Sequence, residues 1–84
     1  MPEQAVKLTN DVGLHARPAA VFSKAAARFS AAVTVTKGGE EANAKSIMSV
    51  LKLDVKQGDD ITIATEGEDA DDALTELVKL VESL

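Results

Sequence analysis

Ala32-Val33-Thr34-Val35-Thr36-Lys37-Gly38-Gly39-Glu40-Glu41-Ala42-Asn43-Ala44 is the stretch that decides the fold class. Val33 and Val35 alternate with threonines at the period of two that gives a strand one apolar and one wet face. Lys37-Gly38-Gly39-Glu40 reads as a hairpin turn, because its glycines supply the positive φ values such a turn needs. The returning strand, Glu40 to Ala44, is polar and weak, which suits a sheet edge where charge discourages pairing with other chains.

Helical periodicity flanks this hairpin on both sides. Upstream, Phe22, Ala25, Ala26 and Phe29 recur at spacings of three and four, which predicts a helix from Ala16 to about Phe29 with both rings in the core. Lys24 and Arg28 form an i,i+4 pair on another face. Before that helix, Val6 and Leu8 alternate with polar neighbours and predict a strand over Ala5 to Thr9. Downstream, Ser46 is the expected N-cap of a short helix running to Leu53, and Lys56-Gln57-Gly58-Asp59 turns the chain into a strand from Asp60 to Glu66. A last helix begins at Asp69, whose carboxylate is expected to cap it, with Asp71 and Asp72 at its positive end. Ala73, Leu74, Leu77, Val78, Val81 and Leu84 form its apolar stripe. The order is strand, helix, two strands, helix, strand, helix. Helices segregated from a hairpin point to an α+β open-faced sandwich, one antiparallel sheet covered on one side by three helices.

The whole chain bounds the function. Its 84 residues read as one domain, 1–84, with room for a two-layer core but not for a large enclosed active site. Zero cysteines exclude disulfides and thiolate chemistry, and a single histidine excludes a histidine-rich metal site. The acidic run Glu66, Glu68, Asp69, Asp71 and Asp72 has no EF-hand pattern and reads as a solvated helix start, so no metal is assigned. No apolar run approaches the roughly 18 residues of a membrane span and no signal peptide is visible, which predicts a cytoplasmic protein without membrane insertion. A net charge of −5 with only two aromatic residues argues against nucleic acid. Against that acidity stand Arg17, Lys24, Arg28 and Lys45, which would suit an acidic partner if they share a face.

Chemistry concentrates in Gly13-Leu14-His15-Ala16-Arg17-Pro18-Ala19-Ala20. Gly13 permits a positive φ in the loop, and Pro18 is tolerated only near the start of a helix. A helix starting at about His15 or Ala16 turns the N–H groups of Ala16 and Arg17 outward at the positive end of a dipole, a ready anion site. Arg17 adds a planar, permanently charged fork for phosphate oxygens. His15 stands beside this nest with a ring that is neutral near pH 7 in part, leaving one nitrogen free to attack. Together they read as an imidazole that takes a phosphoryl group and holds it on a helix N-terminus.

That stretch, followed by Ala44-Lys45-Ser46-Ile47-Met48, resembles the HPr family of histidine-containing phosphocarriers of the bacterial phosphoenolpyruvate:sugar phosphotransferase system, over essentially the whole chain. The resemblance implies a strand order of 1-4-2-3. It implies that His15 accepts a phosphoryl group on Nδ1 from enzyme I and passes it to enzyme IIA domains in sugar transport, with Arg17 assisting. On this reading the protein is a phosphoprotein and a monomer, not an enzyme, and needs no cofactor. The resemblance also makes the short helix and the start of the first helix a docking face, here Ala20, Ile47, Met48 and Leu51. The residues alone suggest part of this, since a two-turn helix that buries Val50 and Leu53 cannot easily bury Ile47, Met48 and Leu51 as well.

Ser46 carries a second expectation. In Gram-positive-type relatives the matching serine is phosphorylated by HPr kinase/phosphorylase, which engages a catabolite-control regulator in carbon catabolite repression. Two positions depart from the family pattern: Val12 replaces a small polar residue beside the active loop, and Asp54 stands where glycine commonly ends the second helix. Aspartate tolerates the left-handed conformation better than most residues, so the fold accommodates it. Two other functions compete: a regulatory protein-binding module or a phosphorelay branch that does not serve sugar transport, and a small acyl-phosphate hydrolase, for which Asn10 and Asn43 are poor water-holding candidates.

Overall fold

A computed structural model of the chain describes residues 2–8 and 16–83. The elements are β1 (Glu3–Lys7), α1 (Ala16–Ala27), β2 (Ala32–Lys37), β3 (Glu40–Asn43), α2 (Ile47–Lys52), β4 (Asp60–Glu66) and α3 (Ala70–Ser83). The four strands form one sheet in the order β1-β4-β2-β3, with every neighbouring pair antiparallel. β2 and β4 pair over five residues, from Ala32 opposite Glu66 to Thr36 opposite Thr62. The polar β3 is an edge strand, as its composition requires.

The core lies between one sheet face and the helices. Val6, Leu8, Val33, Val35, Ile61 and Ile63 point inward from the strands, and Phe22, Ala26, Val50, Leu77 and Val81 meet them from the helices. Alternate residues Ala32, Thr34, Thr36, Thr62 and Ala64 fall on the open face. A ring the size of Phe22, fully buried, contributes about 1.5–3 kcal/mol through burial alone.

Three local expectations need correction. β1 begins at Glu3, ahead of the predicted Ala5, because Glu3 and Gln4 pair with Ala64 and Ile63 of a longer partner strand. A ladder extends as far as its partner reaches, whatever the polarity of the side chains. Thr9, its predicted end, lies outside the described residues. α1 stops at Ala27, since the N–H groups of Arg28 and Phe29 bond three residues back, to Ala25 and Ala26, and tighten the chain out of the α-helix. Phe29 is therefore half-buried against a satellite cluster of Ala31, Ala70 and Ala73, apart from the main core.

The third correction concerns Asp69. Its carbonyl accepts the Ala73 N–H at the head of α3, but its carboxylate turns away from that helix. The two oxygens accept the N–H groups of Ser30 at 2.8 Å and Ala31 at 2.7 Å, tying the α1–β2 connection to the start of α3. The Ser30 N–H is exposed but the Ala31 N–H belongs to a buried residue and needs a partner within the protein, which one bidentate carboxylate supplies, while Asp71 and Asp72 already serve the helix dipole. Nearby, Gly67 adopts φ +141°, and a β-carbon there would stand 2.9 Å from the Ala31 α-carbon. Thr65, buried, donates its hydroxyl to the Ala70 carbonyl at 2.8 Å. Asp54 stands at φ +51° just after α2, the left-handed conformation anticipated for it. Among the described residues no helix is long and apolar enough to cross a membrane.

Candidate functional site

α1 opens at Ala16, so the residue next to its first turn in the chain is His15, which lies outside the described residues together with Val12 and Gly13. The first turn holds Arg17 and Pro18 and contains no acidic side chain. Pro18 is the third helical residue, where its missing N–H costs nothing because no carbonyl lies four residues back within the helix. Arg17 is exposed. The site thus combines a helix N-terminus whose first turn holds no acid and an exposed guanidinium in that turn, both favourable to an incoming anion.

The face of α1 that continues from Arg17 follows the i,i+3/i+4 rule through Ala20, Val21 and Lys24, with Arg28 one turn on. Ala20 is half-buried, whereas Lys24 and Arg28 are exposed. Val21, with 41 % of its surface exposed, was not singled out by the sequence reading. The signal was present: Val21 is out of phase with the stripe of Phe22, Ala25 and Ala26, and an apolar side chain off its helix's buried stripe faces solvent or a partner.

α2 packs beside α1 and presents the second part of the surface. Ser46 is its N-cap: the backbone is extended at φ −108°, ψ 113°, and the hydroxyl accepts the Ser49 N–H at 3.3 Å. Val50 is buried and Leu53 nearly so, which leaves Ile47 39 % and Met48 67 % exposed and Leu51 half-buried. A helix of six residues has room for one buried stripe only, so its other face stays wet.

Lys45 does not join the cations on the α1 face. Its ammonium donates to the Phe29 carbonyl at 2.8 Å and so caps the end of the α1 segment, a use no spacing in the sequence signalled. The structure therefore brings Arg17, Ala20 and Val21 onto one helix and Ile47, Met48 and Leu51 onto its neighbour, with Ser46 at the head of the second.

Comparison with known proteins bears on this arrangement. The family model described as the PTS HPr component phosphorylation site matches residues 2–83. The chain belongs to the HPr family. The phosphocarrier protein HPr of Mycoplasma capricolum is 46 % identical over 67 residues, 80 % of this chain and 75 % of the relative. The HPr-like protein Crh of Halalkalibacterium halodurans is 40 % identical over 82 residues, 98 % of each chain. Among solved structures, HPr from Thermoanaerobacter tengcongensis superposes with a TM-score of 0.96 at 43 % identity, covering 99 % of this chain and 93 % of that one. The HPr fold, with its 1-4-2-3 sheet and three helices on one face, is thus the fold of this chain.

Proposed function

We propose that the chain is a cytoplasmic phosphocarrier of the phosphotransferase system, acting as one unit over residues 1–84. The observation that carries this reading is the acid-free first turn of α1 with Arg17 in it, directly following His15. The neutral His15 ring attacks the phosphorus of phosphorylated enzyme I through the Nδ1 lone pair. A P–N bond forms on His15 as the donor bond breaks, and no proton needs to leave the ring if Nε2 already carries it. The Ala16 and Arg17 N–H groups and the Arg17 guanidinium hold the phosphoryl oxygens, and the same contacts release them when an enzyme IIA domain takes the group. No second acid, base, metal or cofactor is required, because the chain hands the group on and hydrolyses nothing.

Docking falls to Ala20 with Val21 on α1 and to Ile47, Met48 and Leu51 on α2, ringed by Arg17, Lys24 and Lys52. An apolar centre with a cationic rim suits an acidic partner surface. The deciding experiment is phosphorus NMR after incubation with phosphoenolpyruvate, magnesium and enzyme I. An acid-labile, base-stable phosphohistidine signal is expected in the wild type and none in His15→Ala; a wild type without the signal overturns the reading.

A second reading rests on the Ser46 hydroxyl at the head of α2 and on the similarity to Crh. Phosphorylation of Ser46 by HPr kinase/phosphorylase would add a charge of about −2 next to Ile47 and Met48, repelling acidic partners while offering a new face to a catabolite-control regulator. Ser46→Asp is expected to slow phosphoryl acceptance by His15 and Ser46→Ala to leave it nearly unchanged; equal rates sink this regulation.

A further inference from the structure

The segment that carries His15 departs from the sheet at Leu8 and enters α1 at Ala16. The departure point is held from one place. The Leu8 N–H donates to the Asp59 carbonyl at 2.9 Å, and the Gly58 N–H donates to the Leu8 carbonyl at 2.7 Å. Both bonds come from the turn between Lys56 and Asp59, so the orientation of the Leu8 backbone is that of the turn. The turn is closed on itself: the Asp59 carboxylate accepts the Lys56 N–H at 2.8 Å, and the Asp59 N–H donates to the Lys56 carbonyl at 3.0 Å. It is also anchored from outside. Lys37, at the end of β2, reaches the Asp59 carboxylate at 3.1 Å and donates to the Asp54 carbonyl at 2.8 Å. One ammonium therefore joins the hairpin end of β2 to both ends of the loop between α2 and β4.

We propose that the Lys37–Asp59 pair is a positioning device for the His15 segment, fixing the turn that grips Leu8 and hence the point and direction in which that segment leaves the sheet. The inference rests on the phosphocarrier reading of His15. Burial of the Leu8 side chain sets its depth in the core but not the rotation of its peptide groups, which the two turn hydrogen bonds determine. The Asp59 carboxyl is held below its ordinary value, first by the Lys56 N–H and then by Lys37, so the anchor is ionised throughout the neutral range. Transfer between two proteins is sensitive to misplacement of the reacting nitrogen by a fraction of an ångström, which gives a remote anchor its leverage.

The test compares Lys37→Met, Asp59→Asn and Lys37→Arg with wild type. An asparagine can still accept the Lys56 N–H while losing the charge that draws Lys37, so the turn survives and only the anchor is cut. Gly67→Ala, at the opposite end of β4, serves as a control for lost stability. Two readouts are taken: kcat/KM of enzyme I for each variant, and the pH titration of the His15 ring signals by NMR. Lys37→Met and Asp59→Asn are each expected to lower kcat/KM roughly three- to tenfold and to displace the His15 ring signals. Lys37→Arg should restore both, and Gly67→Ala should change neither. Unchanged rates and ring signals in the two cut variants, or equal changes in Gly67→Ala, overturn the proposal. If wild type takes no phosphoryl group, the phosphocarrier reading falls, while the His15 ring signals still decide whether the anchor positions that segment.

Discussion

α1 and α3 lie on the same face of one sheet and each buries one apolar stripe, yet their N-terminal turns follow opposite electrostatic plans. α3 carries Asp71 and Asp72 in its first turn. α1 carries no acid there and has Arg17 instead. Each carboxylate at a helix head stabilises by about 0.3–1 kcal/mol, and a cation in that place forgoes a similar amount. α3 thus carries its balancing charge within its own first turn, whereas the first turn of α1, which follows His15 in the chain, holds none. A small deficit in stability leaves an attraction for an anion, which on the phosphocarrier reading is the phosphoryl group.

The sharpest way to break that contrast is to give α1 the plan of α3. Arg17→Glu is expected to hold or raise thermal stability, by about 0.5 kcal/mol, while cutting phosphoryl acceptance by about 100-fold. Thermal melts and enzyme I kinetics on the same preparation measure both, and parallel losses would show that Arg17 is structural. The converse test lies at the α3 end. Gly67→Ala forces a β-carbon against Ala31 at a left-handed φ and is expected to cost about 2 kcal/mol in urea unfolding with phosphoryl acceptance intact.

Asp69 sharpens the comparison through pH. Its carboxyl is held below the ordinary value, chiefly by the Ser30 N–H and also by the Ala31 N–H. The folded chain therefore binds fewer protons at this site than the unfolded chain does. The resulting stability is fully present above the unfolded value of about 4 and is lost as pH falls through the lower folded value. Asp69→Asn is expected to melt several degrees below wild type at neutral pH and to converge on it in strong acid; parallel curves would remove Asp69 from the acid response. The smallest effect on stability belongs to the α2 face. Met48→Ala should change unfolding free energy by no more than about 0.5 kcal/mol, because the side chain is mostly solvated, yet weaken enzyme I binding by about 1 kcal/mol or more in calorimetry.

Much of this was legible in the residues. The strand alternations, the glycine pair, the threefold and fourfold spacings, the Ser46 cap and the Lys56-Gln57-Gly58-Asp59 turn together located every element, because each is a local signal. The phosphoryl-site reading of Gly13, His15, Arg17 and Pro18 is local for the same reason, resting on residues close in sequence, and it is the phosphorus NMR experiment that tests it. Val50 and Leu53 were rightly assigned inward, which left Ile47 and Met48 outside. Val21 was equally legible, as an apolar residue out of phase with the stripe of Phe22, Ala25 and Ala26, and its 41 % exposure bears out that phase. The Asp69 carboxylate was assigned to its own helix because a capping position is a local pattern, while its actual partners lie 39 and 38 residues away.

The amino-acid sequence by itself determined the element order, the hairpin, the core stripe of each helix and the chemistry available beside His15, since periodicity, turn propensity and residue type act over a few residues. Only the tertiary structure decided that Lys45 closes the end of the α1 segment, that Asp69 joins two connections and that Lys37 anchors the turn holding Leu8. A lysine or aspartate has several partners within reach of its flexible side chain, and packing of distant segments alone selects among them.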